Sequence, residues 1–210
     1  DTIAVDVYFH IASSTAKANI ITDQIIQAQF QVLHGGFLPY GIELSLVSTG
    51  RIVDNIIATG YWVNGSIEDF DAYLAYLTRT RRGGYDALNI YYYTDMERGI
   101  SGFCNLPTIV IEGDQFFYRD GCQVNGNSMP GVPDPLENSG LGHTSVHESG
   151  HWFGLLHTFQ GGCSISGDGV DDTPPQASAS TGCPEGRDSC PGLAGLDPIH
   201  NYMDYSSDTW

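Results

Sequence analysis

Basic residues, long apolar runs and closely paired cysteines are scarce in this sequence. Eight Lys and Arg stand against 25 Asp and Glu, which leaves a formal net charge of −17. A surface this negative repels phosphate groups and argues against a nucleic-acid partner. No apolar run approaches the roughly 18–20 residues that cross a bilayer, so we expect no integral membrane protein. No Cys-x-x-Cys pair occurs, which argues against a cysteine-based zinc cluster.

The composition is that of a folded, secreted domain. A chain of 210 residues that is 41% apolar suits one domain with a real core. Five widely spaced cysteines in a Lys-poor chain favour disulfides and an oxidising compartment, with buried free thiols as the alternative. A glycosylation sequon at Asn64-Gly65-Ser66 fits secretion. No leader-like segment begins at Asp1, so a secreted form is expected to have lost its leader already. We expect a monomer.

Strand and helix patterns alternate over the first part of the chain, which predicts a mixed α/β sheet with helices packed against it. Residues 113–140 are mostly turn formers, and residues 160–198 are rich in Gly, Pro, Ser and Asp. We therefore expect a single domain, 1–210, with an ordered upper lobe at 1–157 and an irregular lower lobe at 158–210 that needs disulfides or bound ions. Strands are predicted at 2–11, 42–48, 58–63, 87–93 and 108–112, and helices at 23–33, from Ser66 onward, and at 141–155.

One short segment carries the chemistry. Residues 147–157 read HESGHWFGLLH. In a helix, His147 and His151 lie one turn apart and can face one metal ion, with Glu148 placed to take a proton from water beside it. Gly154 lets the backbone leave the helix, so that His157 can arrive as a third ligand. Three imidazoles leave a fourth tetrahedral position open, as in a catalytic zinc site.

Two simpler readings compete with this one. The histidines could be solvated or packed in a core, or the zinc could only hold the fold. By this chain's own composition, the five residues would meet these spacings by chance in roughly one such chain in 30,000. Glu148 argues against a purely structural site, which needs no carboxylate beside the metal.

The sequence here resembles the metzincin metallopeptidases, whose zinc signature is HExxHxxGxxH. The segment NYMDY (201–205) resembles their methionine-bearing turn. Three longer segments, over about the last 70 residues, resemble the pappalysin branch, and most of all its short secreted microbial members, including fungal extracellular metallopeptidases. They are GLGHTSVHESGHWFGLLHTF (140–159), GDGVDDTPPQ (167–176) and DPIHNYMDYSSD (197–208). The resemblance implies a metzincin-like α/β (α+β) catalytic domain.

The resemblance also implies roles for single residues. His147, His151 and His157 would bind one zinc ion, and Glu148 would act as general base and acid. Met203 would form an apolar floor under the metal. Tyr205 would hydrogen-bond the oxyanion, although an ordinary packing tyrosine is the alternative.

Two acidic features extend the implied site. Asp168, Asp171 and Thr173 lie in a turn-rich stretch that suits structural calcium, and the resemblance favours it over a solvated acidic loop. Asp208 would line the pocket for the side chain after the cleaved bond and would favour Arg or Lys there. A loop aspartate that faces solvent is the alternative.

The resemblance also bears on maturation and on the cysteines. It implies a zymogen whose pro-segment supplies a cysteine to the zinc; no cysteine precedes Cys104, so the chain resembles a mature form. Relatives continue beyond the position of Trp210, typically with a cysteine, so we expect a truncated C-terminus and a missing partner for Cys183. The implied pairs are then Cys163–Cys190 and Cys104–Cys122.

The leading hypothesis is a secreted zinc endopeptidase that acts on proteins or peptides. The alternative is a non-catalytic binding module, stabilised by zinc and calcium, on the same fold. Such a module has no need of both Glu148 and Tyr205. A zinc hydrolase of the deaminase kind would usually use a Cys-x-x-Cys pair, which the chain lacks.

Overall fold

A five-stranded sheet organises the described part of the chain. The computed structural model describes residues 2–60, 67–137 and 139–209, and within them lie the five strands β1 (Ile3–Ser13), β2 (Ile42–Val53), β3 (Leu88–Tyr93), β4 (Gly102–Cys104) and β5 (Cys122–Asn125). Their order across the sheet is β2-β1-β3-β5-β4. All neighbours pair in parallel except β4, which runs antiparallel to β5 at one edge. The predicted mixed α/β fold is confirmed.

In the part of the chain that the structure describes, four α-helices accompany the sheet: α1 (Asp23–Phe37), α2 (Ile67–Thr80), α3 (Gln115–Arg119) and α4 (His143–Trp152). Side chains cap two of them, because the Thr22 hydroxyl accepts from the Ile25 amide and the Asp114 carboxylate accepts from the Phe117 amide. None of the helices in the described residues is long and apolar enough to cross a membrane.

Apolar side chains cover both faces of the sheet. Every residue of β3 is buried. Its Leu88, Ile90 and Tyr92 join a core with α1 and α4, whereas Tyr91 and Tyr93 join a second core with α2. A mostly parallel sheet is normally covered in this way. The layering places α4 against one face, with its other side free to line a cleft.

Two predicted strands are wrong where the structure describes them. Residues 57–59 form a 3₁₀ turn instead of the start of a strand at 58–63, and 61–63 lie outside the described residues, as does the sequon at Asn64. Residues 108–112 form no strand. Their β-branched side chains satisfy strand propensity, but β4 takes the edge position beside β5, and propensity alone does not create a pairing partner.

The segment predicted as mostly turns, 113–140, holds both α3 and β5. β5 is only four residues long, and its burial comes from lying between β3 and β4. Such a short strand gives little periodic signal, so its sequence could not show it.

The described residues after Trp152 form turns and loops without a helix or strand, as the composition predicted. Polar side chains and one disulfide hold them. The Thr158 hydroxyl donates to Gln176 at 2.6 Å, and the Gln176 amide donates to Asp204 at 2.9 Å. Arg187 pairs with the buried Asp197 at 2.9 Å. The division into two lobes remains a prediction.

Candidate metal centre

Three histidines converge at the C-terminal half of α4. His147 and His151 lie one turn apart on it, with ring centroids 4.8 Å apart. Gly154, at φ 97°, turns the chain out of the helix and returns His157, whose ring centroid is 4.6 Å from that of His151. The Nε2 atoms of His151 and His157 are 3.1 Å apart. The three rings therefore aim at one point, as the spacing predicted.

Backbone carbonyls orient two of these rings. His147 Nδ1 lies 2.6 Å from the Tyr202 carbonyl oxygen, and His151 Nδ1 lies 2.8 Å from that of Leu155. A carbonyl only accepts, so each Nδ1 carries the proton and each Nε2 presents a lone pair. This outer contact is the usual support for a metal-binding histidine.

The donor set fits a zinc ion. Burial lowers the pKa of His147 to about 4, and burial followed by the neighbouring His151 lowers the pKa of His157. The ligand atoms of the three residues lie within 4.8 Å of one another, and they form the only such group of His, Cys, Asp or Glu in the described parts of the chain. Tetrahedral Zn–N bonds of about 2.0–2.1 Å place nitrogens about 3.3 Å apart, which the closest pair nearly matches.

Glu148 follows His147 on α4, and its side chain is buried. It is 5% exposed, and its Oε2 has no hydrogen-bond partner. Burial alone raises its pKa to about 8. Gly102 of β4 leaves the space that this side chain uses, since a Cβ there would lie 3.0 Å from both Glu148 Cγ and Oε1. A carboxyl group held unpaired at the wall of a cleft is suited to proton transfer.

The methionine turn packs directly under α4. A Cβ on Gly150 would overlap the Met203 sulfur, so the glycine between the two helix histidines permits this contact. The Asn201 side chain accepts from the Met203 amide at 2.9 Å, and the Met203 carbonyl accepts from the Thr158 amide at 3.2 Å. The Tyr202 carbonyl of the same turn also orients the His147 ring. The methionine turn therefore both packs under α4 and positions one of the three histidines.

Tyr205 and Asp208 both line the cleft at the metal centre. This cleft has a volume of about 740 Å³ and is bordered on one side by Gly102 and Cys104 of β4. The Tyr205 hydroxyl lies 3.1 Å from His157 Nε2, with the side chain 55% exposed. Burial, then the nearby Glu148, raises its pKa. The phenol is therefore protonated and can donate.

Asp208 is buried and does not face bulk solvent. Its Oδ2 accepts from the Leu141 amide at 2.9 Å, and its Oδ1 lies 3.8 Å from Nδ1 of His143, the first residue of α4. Burial raises the pKa of this carboxyl group.

The proposed calcium ligands are less closely gathered than the histidines. Asp168 is buried and accepts from the Val170 amide at 3.0 Å, whereas Asp171 is exposed and Thr173 is half-buried. Among the described residues these side chains do not form a further group of the kind that the histidines form.

The structure pairs the cysteines as the resemblance implied. Cys104 bonds Cys122, its direct neighbour across β4 and β5, and Cys163 bonds Cys190. Cys183 is a free, exposed thiol. The first disulfide ties the cleft-side edge strand to the rest of the sheet.

Sequence reasoning missed the contacts that hold α4 from behind. Gln29, fully buried on α1, donates to the Gly142 carbonyl at 3.0 Å, just before the helix begins. At the other end, the Trp152 indole donates to Asp120 at 3.2 Å, and Asp120 pairs with the buried Arg81 at 2.9 Å. Only the glycine inside HESGH offered a sequence signal, because a helix interior usually avoids glycine.

Comparisons with known proteins show the family to which this chain belongs. The Peptidase_M43 family model, described as pregnancy-associated plasma protein-A, matches residues 80–209. An extracellular metalloprotease of Podospora anserina is 47% identical over 210 residues, which are 99% of this chain and 68% of that protein. Extracellular metalloprotease 1 of Coccidioides posadasii is 45% identical over 209 residues, 99% of this chain and 71% of its own. Mature mirolysin of Tannerella forsythia, solved with a cleaved peptide, shares the fold at a TM-score of 0.75 and 23% identity, over 99% of this chain and 85% of mirolysin.

The fold and the family together define a metallopeptidase with a catalytic metal. The chain belongs to the Peptidase_M43 family, the pappalysins, and is a metalloendopeptidase. The resemblance read from the sequence is therefore confirmed at the level of family, fold and class of enzyme.

Proposed function

We propose that this protein is a zinc endopeptidase in which Glu148 acts as general base and then general acid. The observation that carries the proposal is the convergence of the three histidine rings beside one buried carboxyl group, Glu148, at the wall of an open cleft. His147, His151 and His157 would hold the ion through Nε2. When bound, zinc supplies a Lewis acid for a scissile carbonyl and for water.

The chain's own side chains supply the proton transfers. Glu148 accepts a proton from the attacking water and later returns it to the leaving amine. Its burial supports this role, because burial raises the pKa of the carboxyl group, so that it holds a transferred proton more readily than an exposed carboxyl group would. The Tyr205 hydroxyl, at the edge of the centre, donates to the negative charge that develops on the carbonyl oxygen.

The alternative, a binding module, would use the same metal but would need neither the carboxyl group of Glu148 nor the hydroxyl group of Tyr205. A module that only binds has no reason to bury an unpaired Glu148 at the cleft. We therefore propose catalysis. Peptide binding without turnover is the test result that would favour the binding module.

Two further proposals concern the surroundings of the site. Asp208 would favour Arg or Lys after the cleaved bond, which is supported by its buried carboxyl group in the lining of the cleft. Calcium would bind through Asp168, Asp171 and Thr173 in a region without helices or strands, where an ion can stabilise the loops. The relatives are named extracellular metalloproteases, which supports secretion of this chain.

Metal removal tests the central proposal. Treatment with o-phenanthroline is expected to abolish hydrolysis of a quenched peptide, and one equivalent of zinc, added after the chelator is removed, should restore it, because no side chain can replace zinc as the Lewis acid. EGTA, with zinc retained, should lower the melting temperature through loss of calcium. Activity and melting temperature are measured on the same samples, with the metal content determined by mass spectrometry of the intact protein.

The chelator results separate the proposals. Turnover that persists after all zinc has been removed would contradict the zinc peptidase, and binding of peptide without turnover would favour the binding module. An unchanged melting temperature in EGTA would contradict the calcium proposal alone.

Replacing Asp208 by Asn should remove the preference for a basic residue after the cleaved bond. The change removes a charge but keeps a side chain that can accept from the Leu141 amide. Sequencing the new N-termini in a digested protein mixture should show Arg and Lys enriched for the wild type and for the exposed-site control Asp134→Asn. A flat distribution for the wild type would contradict the role of Asp208.

A further inference from the structure

An exposed apolar stretch of chain begins where β4 ends. Residues 105–111, called here the rim segment, read NLPTIVI. Ile109 is 96% exposed and Ile111 is 74% exposed, and Leu106 also faces solvent. Three large apolar side chains are therefore exposed within six residues of the chain. On the surfaces of globular proteins such side chains are usually exposed singly.

Fixed contacts hold this segment in place. It directly follows Cys104, which is bonded to Cys122. The Asn105 side chain then donates to the Arg119 carbonyl at 2.5 Å. At Thr108 the Tyr85 hydroxyl accepts from the backbone amide at 2.9 Å and donates to the carbonyl at 2.8 Å. These anchors keep the apolar side chains in water instead of letting them fold onto the core.

The rim segment is continuous with the catalytic cleft. Leu106 lines the cleft together with the strand that precedes it. Pro107 borders Gly154, the residue that turns the chain between His151 and His157, since a Cβ on Gly154 would lie 3.7 Å from Pro107 Cγ. Ile109 and Ile111 follow Leu106 by three and five residues along the chain and lie outside the lining of the cleft.

We propose that the rim segment is a docking surface for an extended apolar stretch of a polypeptide substrate, outside the part of the substrate that fills the cleft. The inference rests on the proposed function, because it assigns the segment to the substrate of the same site. Contacts between the exposed isoleucines and apolar substrate side chains would add affinity for long, unfolded chains. Short peptides would not reach this surface.

The test compares two substrates. The double variant Ile109→Ser/Ile111→Ser is expected to raise KM for reduced, carboxymethylated α-lactalbumin by roughly fivefold to tenfold, with kcat nearly unchanged. For a quenched hexapeptide both constants should equal those of the wild type. Ile165→Ser is the matched control, because Ile165 is 92% exposed and does not line the cleft. It should leave both substrates unaffected.

Three outcomes would overturn the docking surface. One is an unchanged KM for the unfolded protein, and another is an equal rise in KM for the hexapeptide. The third is a wild type that is dimeric in analytical ultracentrifugation and becomes monomeric in the double variant with no change in KM, which would assign the surface to a second copy of the chain. Hexapeptide hydrolysis by the wild type reports on the proposed function separately, so failure of one does not imply failure of the other.

Discussion

Replacing Glu148 by Gln is expected to lower kcat for peptide hydrolysis by roughly 10²–10⁴-fold, the usual contribution of a general base and acid. The amide has nearly the same shape but cannot take a proton from water. Zinc content should not change, because Glu148 is not one of the three converging ligands. Steady-state kinetics on a quenched peptide and metal analysis of the same sample measure both effects.

The variant should fold normally. Burial raises the pKa of Glu148 to about 8, above its ordinary 4.5, so its ionised form disfavours the folded state at neutral pH. A neutral Gln is therefore expected to cost no stability at pH 7. Glu185→Gln, at an exposed position, is the matched control. A zinc-loaded Glu148→Gln enzyme with wild-type kcat would show that another group handles the proton.

Acidification from pH 7 to pH 4 is expected to remove about 3 kcal/mol of stability through His10 alone. Burial lowers its pKa from 6.5 to about 4, with Arg82 and Arg81 adding to the effect. The ring stacks on Tyr91 with centroids 4.3 Å apart, and its Nε2 lies 2.9 Å from Asn89 Oδ1. The folded state binds this proton less readily than the unfolded chain, so the stability is complete above pH 6.5 and is lost as the pH falls toward 4.

Urea denaturation at several pH values measures this effect as the difference in free energy of unfolding between the wild type and variants at His10. His10→Gln and His10→Phe do not titrate, so the free energy of unfolding of the wild type should fall relative to both by the same amount between pH 7 and pH 4. Subtraction removes the contribution of the three converging histidines, which all three proteins share. Parallel curves for the wild type and both variants would exclude His10 as the titrating group.

The centre could be read from the sequence because its geometry is local. His147 and His151 are set by helical spacing, and His157 by the single turn that Gly154 allows. The methionine turn could be recognised only through resemblance, because nothing near Met203 reveals that it packs on Gly150, about fifty residues earlier. The prediction of a strand at 108–112 was wrong for a similar reason, because strand propensity does not tell which segment finds a partner at a sheet edge.

By itself, the sequence determined that three histidines on one helix and the turn after it come together, because short-range spacing fixes how side chains face one another. It also determined the alternation of apolar segments that becomes the layered sheet. Tertiary structure alone decided which strand borders the cleft, that Gly102 makes room for Glu148, and that Asp120 and Gln29 hold the two ends of the helix. Those contacts join residues far apart in the chain, and their energies come from burial and close packing that no local pattern records.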